Sequence, residues 1–322
     1  MREAKEKSEQ GLTRMTLTLG HLYPDQLNLY GDRGNILTLQ QRCRWRGIDL
    51  RVVELGIGDA LDPDAYDLLF IGGGQDRDQA PVAQDLYETK SIGLWASIED
   101  DMPVLAVCGG YQLLAHYYRP ATGPDLKGLG VFDAWTVHRG ARAPRCIGNI
   151  AINWNGQTLV GFENHGGQTY LGTAQPLGKV LKGFGNNAQD GTEGAIYRNA
   201  FGTYLHGSLL PKNPHFADYL IELALKRSYG LNWRAGYGDF EGLSITSASS
   251  ISPIEQTNGK ASSHTETLEK LEAETRVEVP GVIIDPLVKL LSLDDSLEWE
   301  AHCAILELLG LHSAATAVLR SH

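Results

Sequence analysis

Short apolar runs alternate with helix-like stretches through the first third of the chain. The β-rich runs lie at residues 15–22, 50–55, 67–71 and 103–107. The stretches with the apolar spacing of a helix lie at residues 35–46, 83–100 and 111–116. Because strands and helices that alternate in sequence form βαβ units, this order predicts an α/β domain with a mainly parallel sheet flanked by helices.

Glycine becomes frequent and the apolar runs become shorter between residues 128 and 207. These short runs lie at residues 147–154, 158–162, 179–184, 194–198 and 201–204. Short runs separated by turn residues predict an antiparallel extension of the sheet. A helix is predicted next at residues 213–229, where apolar side chains recur at helical spacing.

The chain changes character again after residue 242. Residues 243–275 are rich in Ser, Thr, Glu and Asn, which is typical of a linker. Beyond them, Asp285 and Pro286 can open one helix, and Asp294 or Asp295 can cap another at 297–309. The apolar face predicted for this second helix consists of Leu297, Ala301, Ala304, Ile305 and Leu308. The predicted divisions are a flexible leader (1–14), a main domain (15–242), a linker (243–275) and a helical extension of unknown role (276–322).

Composition and charge narrow the possible functions. A length of 322 residues suits one large domain with a smaller appendage. The net charge of −11 argues against a general nucleic-acid binder, which needs a basic face for the phosphates. The charged N-terminal segment lacks the apolar core of a secretory signal, and no apolar run is long enough to predict a transmembrane segment.

The four cysteines lie far apart in the sequence and form no CxxC pair. This spacing predicts neither a disulfide framework nor a zinc site, so no metal is expected. Separate free thiols suit the reducing environment of the cytoplasm, where we expect the protein to reside. Cys43, Cys146 and Cys303 fit the role of buried structural cysteines, whereas Cys108 has a different setting.

Cys108 stands between a predicted strand and a predicted helix, in the segment PVLAVCGGYQLLA. A nucleophile at such a junction lies on a sharp, strained turn at the carboxyl end of a sheet. The N-terminus of the following helix favours the thiolate form of the cysteine. The amide of Gly109 is a suitable donor to an oxyanion, and Gly110 permits close approach of the chain. We therefore predict that Cys108 is a nucleophile.

A thiol nucleophile needs a base, and histidine is the usual choice. His206, in FGTYLHGSLLP, ends a β-rich run and is predicted at the same edge of the sheet as Cys108. His165, in FENHGGQ, is a rival by its surroundings in the sequence. The residues alone leave the choice between them open.

A run of three glycines at residues 72–74 follows another strand of the predicted sheet. Its backbone amides can supply a second donor to an oxyanion, because the turn falls at the same sheet edge as Cys108. A glycine run taken alone also fits a bare turn.

The order and spacing of four motifs resemble the class I, or triad-type, glutamine amidotransferases. These motifs are FIGGGQD, VCGGYQLL, GFENHGG and GTYLHG. They are most similar to the branch that includes the glutaminase domains of cobyric acid synthase. Within that branch, LNLYGDRGNI, GLGVFDAWT, GFENHGGQTYLG and GTYLHGSLLPKNP resemble the GatD family, the glutaminase subunits of bacterial lipid II isoglutaminyl synthase. The resemblance covers residues 15–232 and implies a flavodoxin-like fold.

The resemblance implies a role for each matching residue. Cys108 would be the nucleophile and His206 the base in glutamine hydrolysis through a thioester. The amides of Gly73 and Gly109 would hold the oxyanion. The arginine that binds the glutamine carboxylate corresponds to Arg142 or Arg145, and Arg145 fits the local spacing better; its fork suits a carboxylate.

One departure from the wider class concerns the acid that orients the catalytic histidine. Many members carry a Glu two residues after that histidine, whereas here His206 is followed by Gly207 and Ser208. In the GatD family, the resemblance implies that a partner synthetase, MurT, supplies the acid. MurT would use ATP and Mg²⁺ to activate the α-carboxyl of D-glutamate in the lipid II stem peptide. This chain has no GxxxxGK[ST] phosphate loop, so we expect it to hold no cofactor of its own.

Three alternatives stay open beside the isoglutaminyl synthase subunit. The chain can serve another synthetase, as in cobyrinate-type amidation. It can also be a non-catalytic module that keeps the amidotransferase fold, although both Cys108 and His206 are present. A thiol peptidase on a similar fold would act without a synthetase.

Overall fold

The computed structural model describes residues 15–28, 32–140, 142–206, 209–230, 290 and 292–321. The predicted leader, the predicted linker and the predicted helix start at Asp285 and Pro286 lie outside the described residues. The boundaries assigned to these segments therefore stay predictions.

Fourteen strands and seven α-helices are found in the described part of the chain. The strands are β1 (Thr16–Leu22), β2 (Asp49–Leu55), β3 (Leu68–Ile71), β4 (Val104–Val107), β5 (Tyr117–Arg119), β6 (Leu126–Lys127), β7 (Ala134–His138), β8 (Cys146–Trp154), β9 (Gln157–His165), β10 (Gly167–Leu171), β11 (Gly178–Lys182), β12 (Thr192–Glu193), β13 (Ala195–Tyr197) and β14 (Ala200–Thr203). The helices are α1 (Arg33–Trp45), α2 (Asp76–Asp85), α3 (Ser91–Glu99), α4 (Gly109–Leu114), α5 (Pro214–Tyr229), α6 (Ser296–Leu308) and α7 (His312–Ser321).

The central sheet has six strands in the order β13-β14-β4-β3-β1-β2. Its five parallel strands follow the flavodoxin-like order, and β13 adds an antiparallel edge. All four residues of β3 and all four of β4 are buried and apolar, as expected for parallel strands covered on both faces. The predicted α/β fold is confirmed, and the carboxyl ends of β3, β4 and β14 meet at one edge.

The helical region between β3 and β4 begins earlier than the sequence pattern predicts. Helix α2 starts at Asp76 and contains Pro81, whereas the prediction of a helix at 83–100 placed the start after that proline. A π-helical turn at Leu86–Lys90 then joins α2 to α3. The buried Lys90 side chain binds Asp85 (Nζ–Oδ2 2.5 Å) and the carbonyl of Gly56 (2.8 Å), which holds this turn against the core.

The prediction of an antiparallel extension is correct only in part. The predicted runs at 194–198 and 201–204 form β13 and β14 of the central sheet, where β14 pairs with β4 in parallel. Two further four-stranded sheets lie beside the central one, and one of them contains a parallel pair, β5 with β7. Their orders are β10-β7-β5-β6 and β12-β11-β8-β9. Strands β5, β6, β7, β10 and β12 were not predicted from the sequence. The backbones of Phe162 and His206 pair in an isolated antiparallel bridge, which joins β9 to the chain just after β14. This bridge brings the second extension sheet to the carboxyl edge of the central sheet.

The C-terminal helices pack back on the main domain. Asp295, the N-cap residue of α6, binds Arg42 of α1, and Arg42 also binds Asp218 of α5. The ring of Trp299 stacks on His215 at 5.0 Å. The buried side chains of α6 are Trp299, His302, Cys303 and Leu306.

The apolar face predicted for α6 was therefore wrong. Leu297 and Leu308 are 74% and 76% exposed, and Ala301 and Ala304 are exposed as well, because the helix turns the face that carries Trp299 and Leu306 to the domain. The expected capping role of Asp295 is also corrected, because its side chain makes no capping hydrogen bond and binds Arg42.

Candidate active site

Cys108 occupies a strained turn between β4 and α4. Its φ of 51° and ψ of −103° are unusual for a residue with a side chain. The backbone amide of Cys108 donates to the carbonyl of Thr203 at the end of β14 (2.8 Å). Only 6% of Cys108 is exposed. The strand–Cys–helix junction inferred from the sequence thus gives the nucleophile elbow geometry of hydrolases.

The glycine run that follows β3 packs directly on Cys108. A Cβ placed on Gly73 would lie 3.0 Å from Cys108 Cβ and 3.7 Å from its Sγ. A Cβ placed on Gly109 would lie 3.2 Å from the backbone nitrogen of Gly74. The two backbone segments expected to form the oxyanion hole therefore lie against each other, and any side chain at Gly73 would crowd the thiol.

The amide of Gly73 already has an acceptor. It donates to Oδ2 of Asp32 at 2.6 Å, and Asp32 is fully buried. Burial raises the pKa of Asp32 to about 7, an effect that the Gly73 hydrogen bond opposes. For Gly73 to stabilise an oxyanion, this bond has to open; the role of Gly73 stays a prediction. The Gly74 amide, beside Gly109, is the other amide of the run placed near the turn.

A cavity of about 560 Å³ opens beside Cys108, within the range of small-molecule sites. It is lined by Gly74, Gln75, Gln79, Cys108, Gln112, Tyr118, His138, Arg145, Ile147, Asn164, His165, Gly166 and Gly167. Arg145 is exposed and donates to the side-chain and backbone oxygens of Asn164 at 3.1 and 3.3 Å. Arg142 is exposed and does not line the cavity. The geometry thus favours Arg145 over Arg142 as the residue that binds a substrate carboxylate.

His206 lies fully buried beyond the end of β14. Burial lowers the pKa of His206 to about 4, the charges of His165 and Arg145 lower it further, and a hydrogen bond with the backbone of Asn164 opposes the shift. The imidazole is therefore neutral at pH 7, which is the state a general base requires.

His165 lines the cavity that contains Cys108. Its ring stacks on Tyr204 with centroids 3.7 Å apart, and its Nδ1 donates to the carbonyl of Gly167 (2.7 Å). Its Nε2 lies 3.8 Å from Oε2 of Glu163. His165 therefore lies at the cavity, whereas His206 is buried beside His165 and Arg145 and is not among the residues that line the cavity, so the choice of His206 as base stays a prediction.

Two buried carboxylates near these histidines were missed in the sequence. Glu163 accepts from the amides of Phe184 (2.6 Å) and Gly185 (2.9 Å). Glu193 accepts from the amide of Tyr204, and burial raises the pKa of Glu193 to about 8. The sequence did contain a signal for Glu163, because this acid lies two residues before His165 in FENHGG. Glu163 thus holds the backbone at Phe184 and Gly185, and Glu193 holds the backbone at Tyr204.

Residues 18–214 match the family model of the CobB/CobQ-like glutamine amidotransferase domain. The chain belongs to this family. It is 46% identical over 214 residues to the lipid II isoglutaminyl synthase subunit GatD of Staphylococcus aureus strain N315, covering 66% of this chain and 85% of that protein. It is 41% identical over 226 residues to GatD of Streptococcus pneumoniae strain ATCC BAA-255 / R6, covering 69% of this chain and 86% of that protein.

A more distant relative is a probable cobyric acid synthase of Methanothermobacter thermautotrophicus, strain Delta H. Identity is 31% over 194 residues, which cover 56% of this chain and 37% of that protein. The predicted membership of the amidotransferase class and its GatD branch is confirmed. Among the described residues, no cluster of three or more His, Cys, Asp or Glu side chains could hold a metal ion. No helix within those same ranges is long and apolar enough to cross a membrane.

Proposed function

We propose that this chain is the glutaminase subunit of a lipid II isoglutaminyl synthase. The observation that carries the proposal is the strained Cys108 elbow beside a 560 Å³ cavity with Arg145 in its wall. It occurs in a chain 46% identical to a subunit named for glutamine hydrolysis. The reaction releases ammonia and glutamate from L-glutamine.

The chemistry follows from the roles of the residues. Arg145 binds the α-carboxylate of glutamine and places the carboxamide at Cys108. The Cys108 thiolate attacks the carboxamide carbon, and the oxyanion is stabilised by the amide of Gly109 together with Gly73 or its neighbour in the glycine run. His206 delivers the thiol proton to the leaving nitrogen, so that ammonia departs and a γ-glutamyl thioester remains. Water, deprotonated by His206, then cleaves the thioester to glutamate and restores the thiol.

Ammonia is consumed by a partner synthetase of the MurT type. That partner binds ATP and Mg²⁺ and amidates the D-glutamate α-carboxyl of the lipid II stem peptide. The complex is a heterodimer in the cytoplasm, at the membrane face where lipid II is presented. A partner that completes the site would also supply an acid to orient the imidazole.

The decisive experiment measures glutamate release from glutamine by the wild type and by Cys108→Ala, with and without the co-produced Mur-ligase-like partner. We expect activity that rises with the partner and disappears in Cys108→Ala. His206→Ala and His165→Ala, assayed in parallel, identify the base. Release that persists in Cys108→Ala would overturn the proposal.

Similarity to a cobyric acid synthase favours a second candidate, a glutaminase that serves a cobyrinate-type amidation. The two candidates differ in the acceptor of the ammonia. Amidation of lipid II by the reconstituted complex supports the first, whereas amidation of a corrinoid carboxylate supports the second.

A further inference from the structure

We propose that Gln79 selects the carboxamide of the substrate, its side-chain oxygen accepting an N–H from the nitrogen that leaves as ammonia. The inference rests on the proposed glutaminase function. It adds a residue of α2 to those that the motifs single out around Cys108.

Gln79 lies at the reacting end of the cavity. It is 1% exposed and lines the cavity together with Cys108. A Cβ placed on Gly109 would lie 3.0 Å from Gln79 Nε2 and 3.4 Å from its Cδ. The side-chain amide therefore packs against the residue that follows the nucleophile, whereas Arg145 belongs to the wall that carries Asn164.

A chain of buried hydrogen bonds fixes the orientation of the Gln79 amide. Gln79 Nε2 donates to Gln112 Oε1 (3.2 Å), and Gln112 Nε2 donates to the hydroxyl of Tyr204 (3.1 Å). The Tyr204 hydroxyl is then free to donate to Thr169 Oγ1 (2.7 Å), which lies 2.7 Å from Thr136 Oγ1. Each link polarises the next, which strengthens the hydrogen bond that Gln79 Nε2 donates.

The consequence is an acceptor with no donor. Gln79 Oε1 is buried, and within the described residues no group donates to it. A buried amide oxygen without a donor is unfavourable, and a ligand N–H that reaches it removes the penalty. Gln79 and Cys108 line one cavity.

The chemistry of the substrate supplies the missing donor. The carboxamide of glutamine carries two N–H bonds, and the nitrogen keeps N–H donors as it takes up a proton and leaves. A γ-carboxylate has no donor and would place its charge against the Gln79 oxygen. A γ-ester has no donor either but carries no charge. Because an unpaired buried polar group discriminates strongly, Gln79 should favour glutamine over both the ester and the glutamate product.

The test uses the full chain co-produced with its partner and compares two substrates, L-glutamine and L-glutamate γ-methyl ester. Cys108 attacks either one and releases ammonia or methanol, and water then yields glutamate. In Gln79→Met, which keeps the length of the side chain and removes its acceptor, kcat/KM for glutamine should fall roughly 10- to 100-fold. The ester value should change little, so the amide-to-ester ratio should collapse, and inhibition by glutamate should strengthen.

Gln84→Met is the matched control, because Gln84 lies on the same helix, is exposed, and donates its side-chain hydrogen bonds to Glu88. The amide-to-ester ratio of kcat/KM for Gln84→Met should equal that of the wild type. If Gln79→Met fails to fold, Gln79→Asn, which withdraws the amide by one methylene, should lower the same ratio.

The outcomes distinguish failure of the Gln79 specificity role from failure of the glutaminase function. Equal losses for amide and ester would reduce Gln79 to a structural support for Gln112 and overturn the specificity role, as would unchanged values for both substrates. A wild type that is inert toward both substrates would instead refute the glutaminase function, and the Gln79 role with it.

Discussion

Replacing Asp295 by alanine tests whether one buried charge cluster holds the C-terminal helices on the domain. Arg42 is 1% exposed and binds Asp218 (2.6 and 2.8 Å) and Asp295 (2.6 and 2.8 Å) through paired contacts. Arg46 also binds Asp218 (2.7 Å). Two guanidinium groups thus face two carboxylates, and removing Asp295 leaves Arg42 and Arg46 to share the single carboxylate of Asp218, with one buried positive charge in excess.

The magnitude follows from the burial of this cluster. Breaking a buried ion pair by removing one partner costs about 3–5 kcal/mol. The chain can relieve that cost by releasing α6 and α7. The contacts that oppose this release are the Trp299–His215 stack, the hydrogen bonds of His302 with Thr158 and Lys212, and a small apolar cluster with β8 and β9. Release exposes Arg42 to water without unfolding the central sheet. Amide exchange in α6 should therefore accelerate by roughly 150- to 4,000-fold, the factor that corresponds to this energy.

The assay is hydrogen exchange read by mass spectrometry, with peptides from α6 compared with peptides from β3 and β4. Asp294→Ala is the control, because Asp294 is the exposed neighbouring acid and accepts from the amide (3.1 Å) and the side chain of Ser296. Removing the Asp294 side chain should cost about 1 kcal/mol, as the loss of a helix cap does, and should accelerate amide exchange in α6 roughly fivefold. Equal exchange in the two variants would refute the argument that the Arg42 cluster holds the helices.

Three further predictions concern the active site and the packing of the central sheet. Arg145→Lys should raise KM for glutamine about tenfold with little change in kcat, since a lysine cannot pair with the carboxylate through two bonds; Arg142→Lys should leave both constants unchanged in the same steady-state assay. Gly110→Ala should lower the unfolding free energy by about 1–3 kcal/mol in urea titrations, because its Cβ would lie 2.7 Å from Ile71 Cγ2 and 2.8 Å from the Ile71 carbonyl oxygen. Burial lowers the pKa of His21 to about 4, so the unfolded chain binds the proton first as the pH falls from 6.5 to 4. The unfolding free energy of the wild type should therefore fall by about 3 kcal/mol relative to that of His21→Gln across this pH range. Parallel curves of unfolding free energy against pH for the two proteins would contradict the shift.

The central fold and the position of Cys108 were predictable because both depend on local sequence. The runs that form β3 and β4 are apolar at every position, and only a strand covered on both faces suits such a pattern. The glycines after Cys108 place the thiol at the end of its strand without reference to the rest of the chain. The strained φ of Cys108 follows from that junction.

Features that depend on distant pairing were not predictable in the same way. Asp32 reaches Gly73 across 41 positions, and Arg42 reaches Asp295 across 253. No local pattern distinguishes these acids from solvent-exposed ones. Gln79 was missed for a different reason, because the predicted helix began at residue 83, after Pro81, whereas the helix in fact begins at Asp76.

The position of β9 connects the C-terminal helices to the active site. At its start, Thr158 Oγ1 lies 2.7 Å from Nε2 of His302 on α6, and further along the same strand Phe162 pairs with the backbone of His206. Strand β8 pairs with β9 along its whole length, so the active-site end keeps its own support. Detachment of α6 should therefore loosen the Thr158 end of β9 much more than the His206 end. It follows that Asp295→Ala should change amide exchange in the helices far more than it changes glutamine hydrolysis.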